Sequence, residues 1–188
     1  MNEKAVSAMK DFLEAIGIDL AASRMENTPE RVASMYEYLF NGVGMDTGDL
    51  WGELFHAEAD GMVVIKDIPF YSMCEHHLVP FFGKVSIAYQ PHDGIVAGFS
   101  KFTKLVERIS HRPQLQERMT QQIADAITEG IGADGVLVIV DAQQLCMTMR
   151  GAVAHDSRTI TSACTGCLNS DGMKKQAWIM LGMRDEEK

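Results

Sequence analysis

The chain has 188 residues, 46% of them apolar and 23% charged, with a net charge of −9. That length supports one domain with a substantial core. The acidic balance argues against nucleic acid as the main partner, since phosphate-backbone binding needs a broad basic surface. Apolar runs such as GVLVIV (135–140) are far shorter than a membrane span of about 18–20 residues. The beginning MNEKAVSAMKDF is charged and lacks the apolar core of a signal peptide, so no membrane partner and a cytoplasmic location are expected.

The first third reads as helical. Met9, Phe12, Leu13 and Ile16 recur at i, i+3, i+4 and i+7, and Gly17 is placed to end the helix. A second helix is expected in NTPERVASMYEYLF, with Thr28 as N-cap, Pro29 in the first helical position and Val32, Met35, Tyr36, Leu39 and Phe40 as its apolar stripe. Residues 42–60 are rich in glycine and acid and read as a connection. The period then changes. MVVIKDIPFYSM (62–73) is β-rich, with Pro69 confined to an edge or bulge, and KVSIAYQP (84–91) alternates like a half-buried strand before a turn at PHDG (91–94). Two helices follow. Ser100 is a candidate cap for one over 101–110, and Pro113 is a candidate opening for the next, in which Leu115, Met119, Ile123, Ile127 and Ile131 recur and Gly130 and Gly132 mark the end. Strands are expected at 135–142, about 146–152 and 157–163, and a short helix in DGMKKQAWIMLGM. The result is an α+β protein: a helical extension over 1–60 and a sheet-and-helix domain over 61–188. So small a sheet has open edges, which pairing with other subunits would cover.

The segment SMCEHHLVP concentrates metal-binding side chains. Thiolate and imidazole together favour zinc. In an extended strand Cys74 would share a face with His76, whereas in a turn it pairs with His77. The segment follows a β-run, so a turn is preferred, with Cys74 and His77 on the metal, His76 aimed elsewhere and Glu75 directed away. Cys146 is the best third ligand, leaving a fourth position for water. The rival is a closed structural site that adds Cys164 and Cys167 of CTGC, and the bland alternative is no metal at all.

Lys101, Lys104 and Arg108 lie along one helix face, with Ser100 at that helix's N-terminus, Arg112 beyond and Arg150 just after Cys146. A solvated helix face is the commoner meaning of such a stripe, and anion binding is the sharper one. Gln116 and Glu117 in RPQLQER raise a similar choice. A carboxylate accepts two N–H bonds from a guanine edge, but a surface acid is the usual explanation.

Taken together, NTPERVASMY (27–36), SMCEHHLVPFFGKVSIAY (72–89), GFSK (98–101), RPQLQERMTQQIA (112–124), LCMTMRG (145–151) and TITSA (159–163) resemble GTP cyclohydrolase I, in the family's order. The resemblance implies a tunnelling fold, in which an antiparallel sheet with two helices assembles into a toroidal barrel, and a homodecamer with sites between subunits. It implies zinc on Cys74, His77 and Cys146. His76 is implied as the acid–base residue, with position 144 also in the catalytic set. Gln116 and Glu117 match the purine-recognising segment, and Ser100, Lys101, Lys104, Arg150 and Arg31 match triphosphate contacts. The implied reaction adds water to C8 of GTP, opens the ring to a formylamino intermediate, releases formate and closes the rearranged ribose into 7,8-dihydroneopterin triphosphate. Alternatives are a related enzyme that halts at the formylamino intermediate or takes a modified purine, and a non-catalytic purine nucleotide-binding module.

Three positions depart from the family's pattern. Gln144 stands where histidine is usual, Ser34 where lysine is usual and Lys104 where arginine is usual. Glutamine positions water but cannot shuttle a proton, which bears on the later steps. The resemblance also places Cys164 and Cys167 at positions that pack, with Thr165 in place of a common arginine.

Overall fold

The computed structural model describes residues 2–58, 61–150 and 156–182. The chain forms two compact units, Met1–Asn41 and Gly42–Lys188.

The smaller unit contains helices α1 (Glu3–Ala15) and α2 (Thr28–Leu39). Asn2 caps α1 by accepting a hydrogen bond from Lys4 N at 3.0 Å. Gly17 follows its end with φ 91°, the left-handed conformation expected of a residue that stops a helix. The second helix starts one residue earlier than the sequence suggests. Asn27 occupies the cap position, and Thr28 and Pro29 are its first helical residues. Pro29 and Ala33 are its buried positions.

In the larger unit, strand β1 (Phe55–His56) forms a small ribbon with β4 (Ile95–Val96). The main sheet contains β2 (Val63–Cys74), β3 (Pro80–Gln90), β5 (Pro113–Gln114), β6 (Gly135–Gln144) and β7 (Thr159–Gly166). Their spatial order is β5-β2-β3-β6-β7. All pairings are antiparallel except the short parallel contact of β2 with β5. Pro69 sits just past a register shift between Ile65 and Ile68. For most of its length β2 has only β3 beside it, so the missing Pro69 N–H breaks no second ladder.

Helices α3 (Phe99–Ser110) and α4 (Gln116–Ile131) supply most of the main core. Phe102, Leu105, Val106 and Ile109 from α3 and Met119, Ile123, Ala124 and Ile127 from α4 join Val136, Val138 and Val140 of β6 in one buried cluster. Each of these side chains other than Ala124 contributes about 1.5–3 kcal/mol on burial. Leu137 and Ile139 point to the opposite face and meet Leu168, Ala177 and Leu181. Ala177 belongs to the last helix, which follows the single-turn α5 (Leu145–Thr148) and is α6 (Asp171–Met180). Cover on both faces explains why β6 reads as an unbroken apolar run instead of an alternating one.

Three further expectations change at element ends. Gly98, not Ser100, precedes the first turn of α3, and Ser100 lies inside that turn. Pro113 opens no helix: it begins β5, paired with Met73, and α4 starts at Gln116 after Leu115. Residues 145–148 form α5 where a strand was expected from about 146. The last β3–β6 pair is Phe81 with Gln144. The preceding residue of β3 is Pro80, whose nitrogen carries no hydrogen, so the ladder stops there and the chain turns. The end of that expected strand, 151–152, lies outside the described residues.

Candidate metal centre and its surroundings

The turn between β2 and β3 is closed by the backbone of one residue. Cys74 O accepts from Leu78 N at 2.8 Å and from His77 N at 3.4 Å, and Cys74 N donates to Val79 O at 3.0 Å. Leu78 completes the reversal with φ 50°. A turn of this kind sets residues three apart on one side, and the sulfur of Cys74 converges with an imidazole nitrogen of His77. The strand β6 lies beside β3, and α5 begins where its ladder ends, which carries Cys146 to the same place. The ligand atoms of Cys74, His77 and Cys146 all lie within 4.8 Å of one another. With bonds of about 2.0–2.3 Å, a small side-chain adjustment places all three on one ion.

The electrostatics suit a cation. Burial pushes the Cys146 thiol up, and the neighbouring Cys74 sulfur adds to that, while the Arg150 guanidinium pulls weakly the other way. A positive ion bound at the Cys146 sulfur would offset that cost. Two sulfurs and one imidazole are a zinc-type donor set with room for a further ligand.

His76 is exposed and stands outside this trio. Its ring lies edge-on to that of His77, with centroids 6.1 Å apart and planes at 81°. Glu75 is drawn away from the metal centre: its carboxylate accepts a charge-assisted hydrogen bond from Arg118, and its backbone N donates to Gln114 O at 3.1 Å. Arg118 also donates to Gln114 Oε1 at 3.1 Å and Pro113 O at 3.3 Å. The metal-bearing turn is thereby tied to the first turn of α4. Arg118 was not singled out from the sequence. Its only sequence signal is its place beside Glu117, since 43 residues separate it from Glu75.

Glu117 is exposed in that first turn, whereas Gln116 is buried to 3% exposure. The Gln116 amide is spent inside the fold, and Gln144 Nε2 donates to its Oε1 at 2.6 Å.

The cationic stripe divides. Arg108 pairs with the Asp49 carboxylate and donates to Asp46 O at 2.5 Å. Arg112 donates to Gly42 O at 2.8 Å and Met45 O at 2.7 Å. Both arginines therefore hold the 42–49 connection against the core. Lys101 and Lys104 form no ion pair among the described residues, and Ser100 and Lys104 are exposed. Arg150 is exposed beyond α5, and Arg31 lies exposed on α2 of the smaller unit.

Cys164 and Cys167 pack against the buried cluster of Leu137, Ile139, Leu168 and Ala177. Cys74 and Cys146 belong to the cluster on the other side of the sheet. The sheet separates the two pairs, so a closed site joining CTGC to Cys74 and Cys146 is ruled out. All four cysteines are unbridged.

Residues 5–182 match the sequence profile of the family described as GTP cyclohydrolase I. A protein named GTP cyclohydrolase 1 from Lysinibacillus sphaericus is 48% identical over 173 residues, covering 92% of each chain. Proteins of the same name from Streptococcus pyogenes serotype M18 and Carboxydothermus hydrogenoformans are 47% and 48% identical, over 97% and 96% of this chain and 94% of each relative.

Proposed function

The chain belongs to the GTP cyclohydrolase I family, and from that premise we propose that it is a zinc-dependent enzyme that converts GTP to 7,8-dihydroneopterin triphosphate and formate. The observation that carries this reading is the convergence of Cys74, His77 and Cys146, with His76 on the same turn but off the trio.

Bound there, zinc would supply a Lewis acid and lower the pKa of water toward about 7. The remaining work falls to the chain's own residues. His76 takes a proton from the water that attacks C8 and delivers it to N7; the proton of the new C8 hydroxyl then passes to N9 as the C8–N9 bond opens and the formyl carbonyl forms. An imidazole suits this exchange because it gains and loses a proton near neutrality. Glu117, exposed on α4, accepts the two N–H groups of the guanine edge. The ion pair of Glu75 with Arg118 keeps that helix turn in register with the hairpin turn that bears His76. Lys101 and Lys104, together with the Ser100 hydroxyl and Arg150, hold the triphosphate. The family's tunnelling fold and toroidal homodecamer are part of this proposal, supported by β7, which has no further strand beside it among the described residues. No helix of the described residues is long and apolar enough to cross a membrane, in keeping with the proposed cytoplasmic location.

A second reading is favoured by one observation. Gln144 is an amide bonded to another amide, and neither carries a proton between steps. If the later hydrolysis depends on a proton carrier at 144, the reaction halts at the formylamino intermediate.

Incubating the zinc-loaded protein with GTP separates the two. Formate, with a pterin that fluoresces after oxidation, is the expected result. Accumulation of a species of GTP mass plus one water, without formate, would establish the halted reaction. GTP binding without turnover would leave a nucleotide-binding module.

A further inference from the structure

The buried amide of Gln116 has no freedom to flip. One end faces Val140 O at 3.1 Å, Thr159 O at 2.9 Å and Thr161 Oγ1 at 3.2 Å. The two carbonyls only accept, so the NH2 group must occupy that end. The hydroxyls agree. Thr120 Oγ1 donates to Gln116 O at 2.7 Å, which uses its single hydrogen. In the 2.6 Å contact between Thr120 and Thr161 the donor is therefore Thr161, whose oxygen is left to accept from Gln116. The donor and acceptor of each contact are thereby fixed, with the two Gln116 N–H hydrogens shared among three acceptors.

What Gln116 offers outward is then its carbonyl oxygen alone. Gln144 meets it with Nε2 at 2.6 Å. An amide nitrogen turned toward Gln116 leaves the Gln144 carbonyl oxygen on the other side of the same planar group. Gln144 is half-buried, is the last residue of β6, and stands two positions before Cys146. A histidine here would alternate between donor and acceptor. The glutamine, held in this way, cannot.

We propose that Gln116 is a positioning residue that locks Gln144 as a fixed hydrogen-bond acceptor beside the metal centre. The group it orients is a donor, either water O–H or a purine-derived N–H. This inference rests on the cyclohydrolase reading and gives Gln116 a task distinct from touching the purine.

The test is a double-mutant cycle on the zinc-loaded, full-length protein with Gln116→Met, Gln144→Met and the pair. Steady-state kcat and KM are measured. GTP affinity is measured separately by equilibrium dialysis in a His76→Ala background. Each single variant is expected to lose about tenfold in kcat, with KM and GTP Kd within about twofold, and the pair to be no more than about twofold worse than the poorer single. Multiplying losses, giving about a hundredfold in the pair, would overturn the coupling. A tenfold rise in GTP Kd with kcat kept in Gln116→Met would show a direct purine contact instead, as would overturn the proposal.

Should Gln116→Met not fold, a carboxyl variant decides. In Gln116→Glu the carbonyls of Val140 and Thr159 keep the buried acid protonated, and it still accepts from Gln144, so kcat stays within about threefold. In Gln144→Met no oxygen remains to accept, and kcat falls about tenfold or more. The reverse order refutes the assignment. A wild-type chain that releases no product sinks the cyclohydrolase reading. A productive wild type with an additive cycle sinks only the role of Gln116.

Discussion

The turn 74–79 and the segment 144–150 meet at the same place but are held there by different means. The turn is fixed locally: Cys74 closes it through its own N–H and carbonyl, and Arg118 pins Glu75 from outside. The segment is fixed from a distance. It leaves β6 where Pro80 ends the neighbouring ladder, and its first side chain is gripped by a glutamine 28 residues earlier in the chain. A local turn tolerates change around it. A segment placed by remote contacts depends on each of them.

The largest expected effect comes from removing a ligand on either side. Cys74→Ser and Cys146→Ser should each lose bound zinc and all measurable turnover, because the remaining pair cannot hold a catalytic ion. Metal content and formate release check this, and retained zinc in Cys146→Ser would remove the segment from the metal centre. Cys164→Ala, across the sheet, should keep both. Next, His76→Ala should keep its zinc while kcat falls about 10²–10⁴-fold, the usual worth of a positioned acid–base group. Loss of zinc there would mean that the turn presents the other histidine.

Smaller effects bear on how the turn is fixed. Arg118→Met removes a pair whose side chains are 43% and 30% exposed, so global stability should fall by about 1 kcal/mol or less. Urea unfolding measures that fall. A fall of several kcal/mol would show that the turn depends on remote support as much as the segment does. The smallest effect lies away from the centre, at His92. Its hydrogen bond to Asp134, followed by the charge of Asp93, raises its pKa above the ordinary 6.5. A raised histidine stabilises the fold below its unfolded pKa, and that contribution is lost as pH rises through the folded pKa. The difference in Tm between wild type and His92→Gln should therefore be largest below about pH 6.5 and shrink as pH rises through the folded pKa. A difference that grows with pH would contradict the sign.

Much of this arrangement was legible in the sequence because it is local. The four-residue recurrence through Met119, Ile123 and Ile127 marked the core face of α4, and the spacing of Cys74 and His77 marked a shared side of a turn. What was hidden depends on partners far along the chain. Arg108 and Arg112 look like part of an anion-binding stripe until the carbonyls of Gly42, Met45 and Asp46 claim them. Residues 42–60 look like a plain connection, yet Leu50 and Trp51 are buried at 7% and 3% exposure. The Trp51 indole lies where a side chain on Gly130 would have to go: a Cβ there would fall 1.7 Å from Nε1. Glycine at 130 thus serves that close packing, while the αL residue Gly132 ends the helix. The change from strand to helical turn at Leu145 was likewise invisible locally, because its cause is a proline on the neighbouring strand.

The claim that turn and segment share one ion is tested most directly by zinc K-edge X-ray absorption on the wild-type protein. The account predicts two sulfur neighbours at about 2.3 Å, one imidazole nitrogen at about 2.0–2.1 Å and one light atom completing the shell. A shell of four sulfurs, or one with a single sulfur, would contradict it.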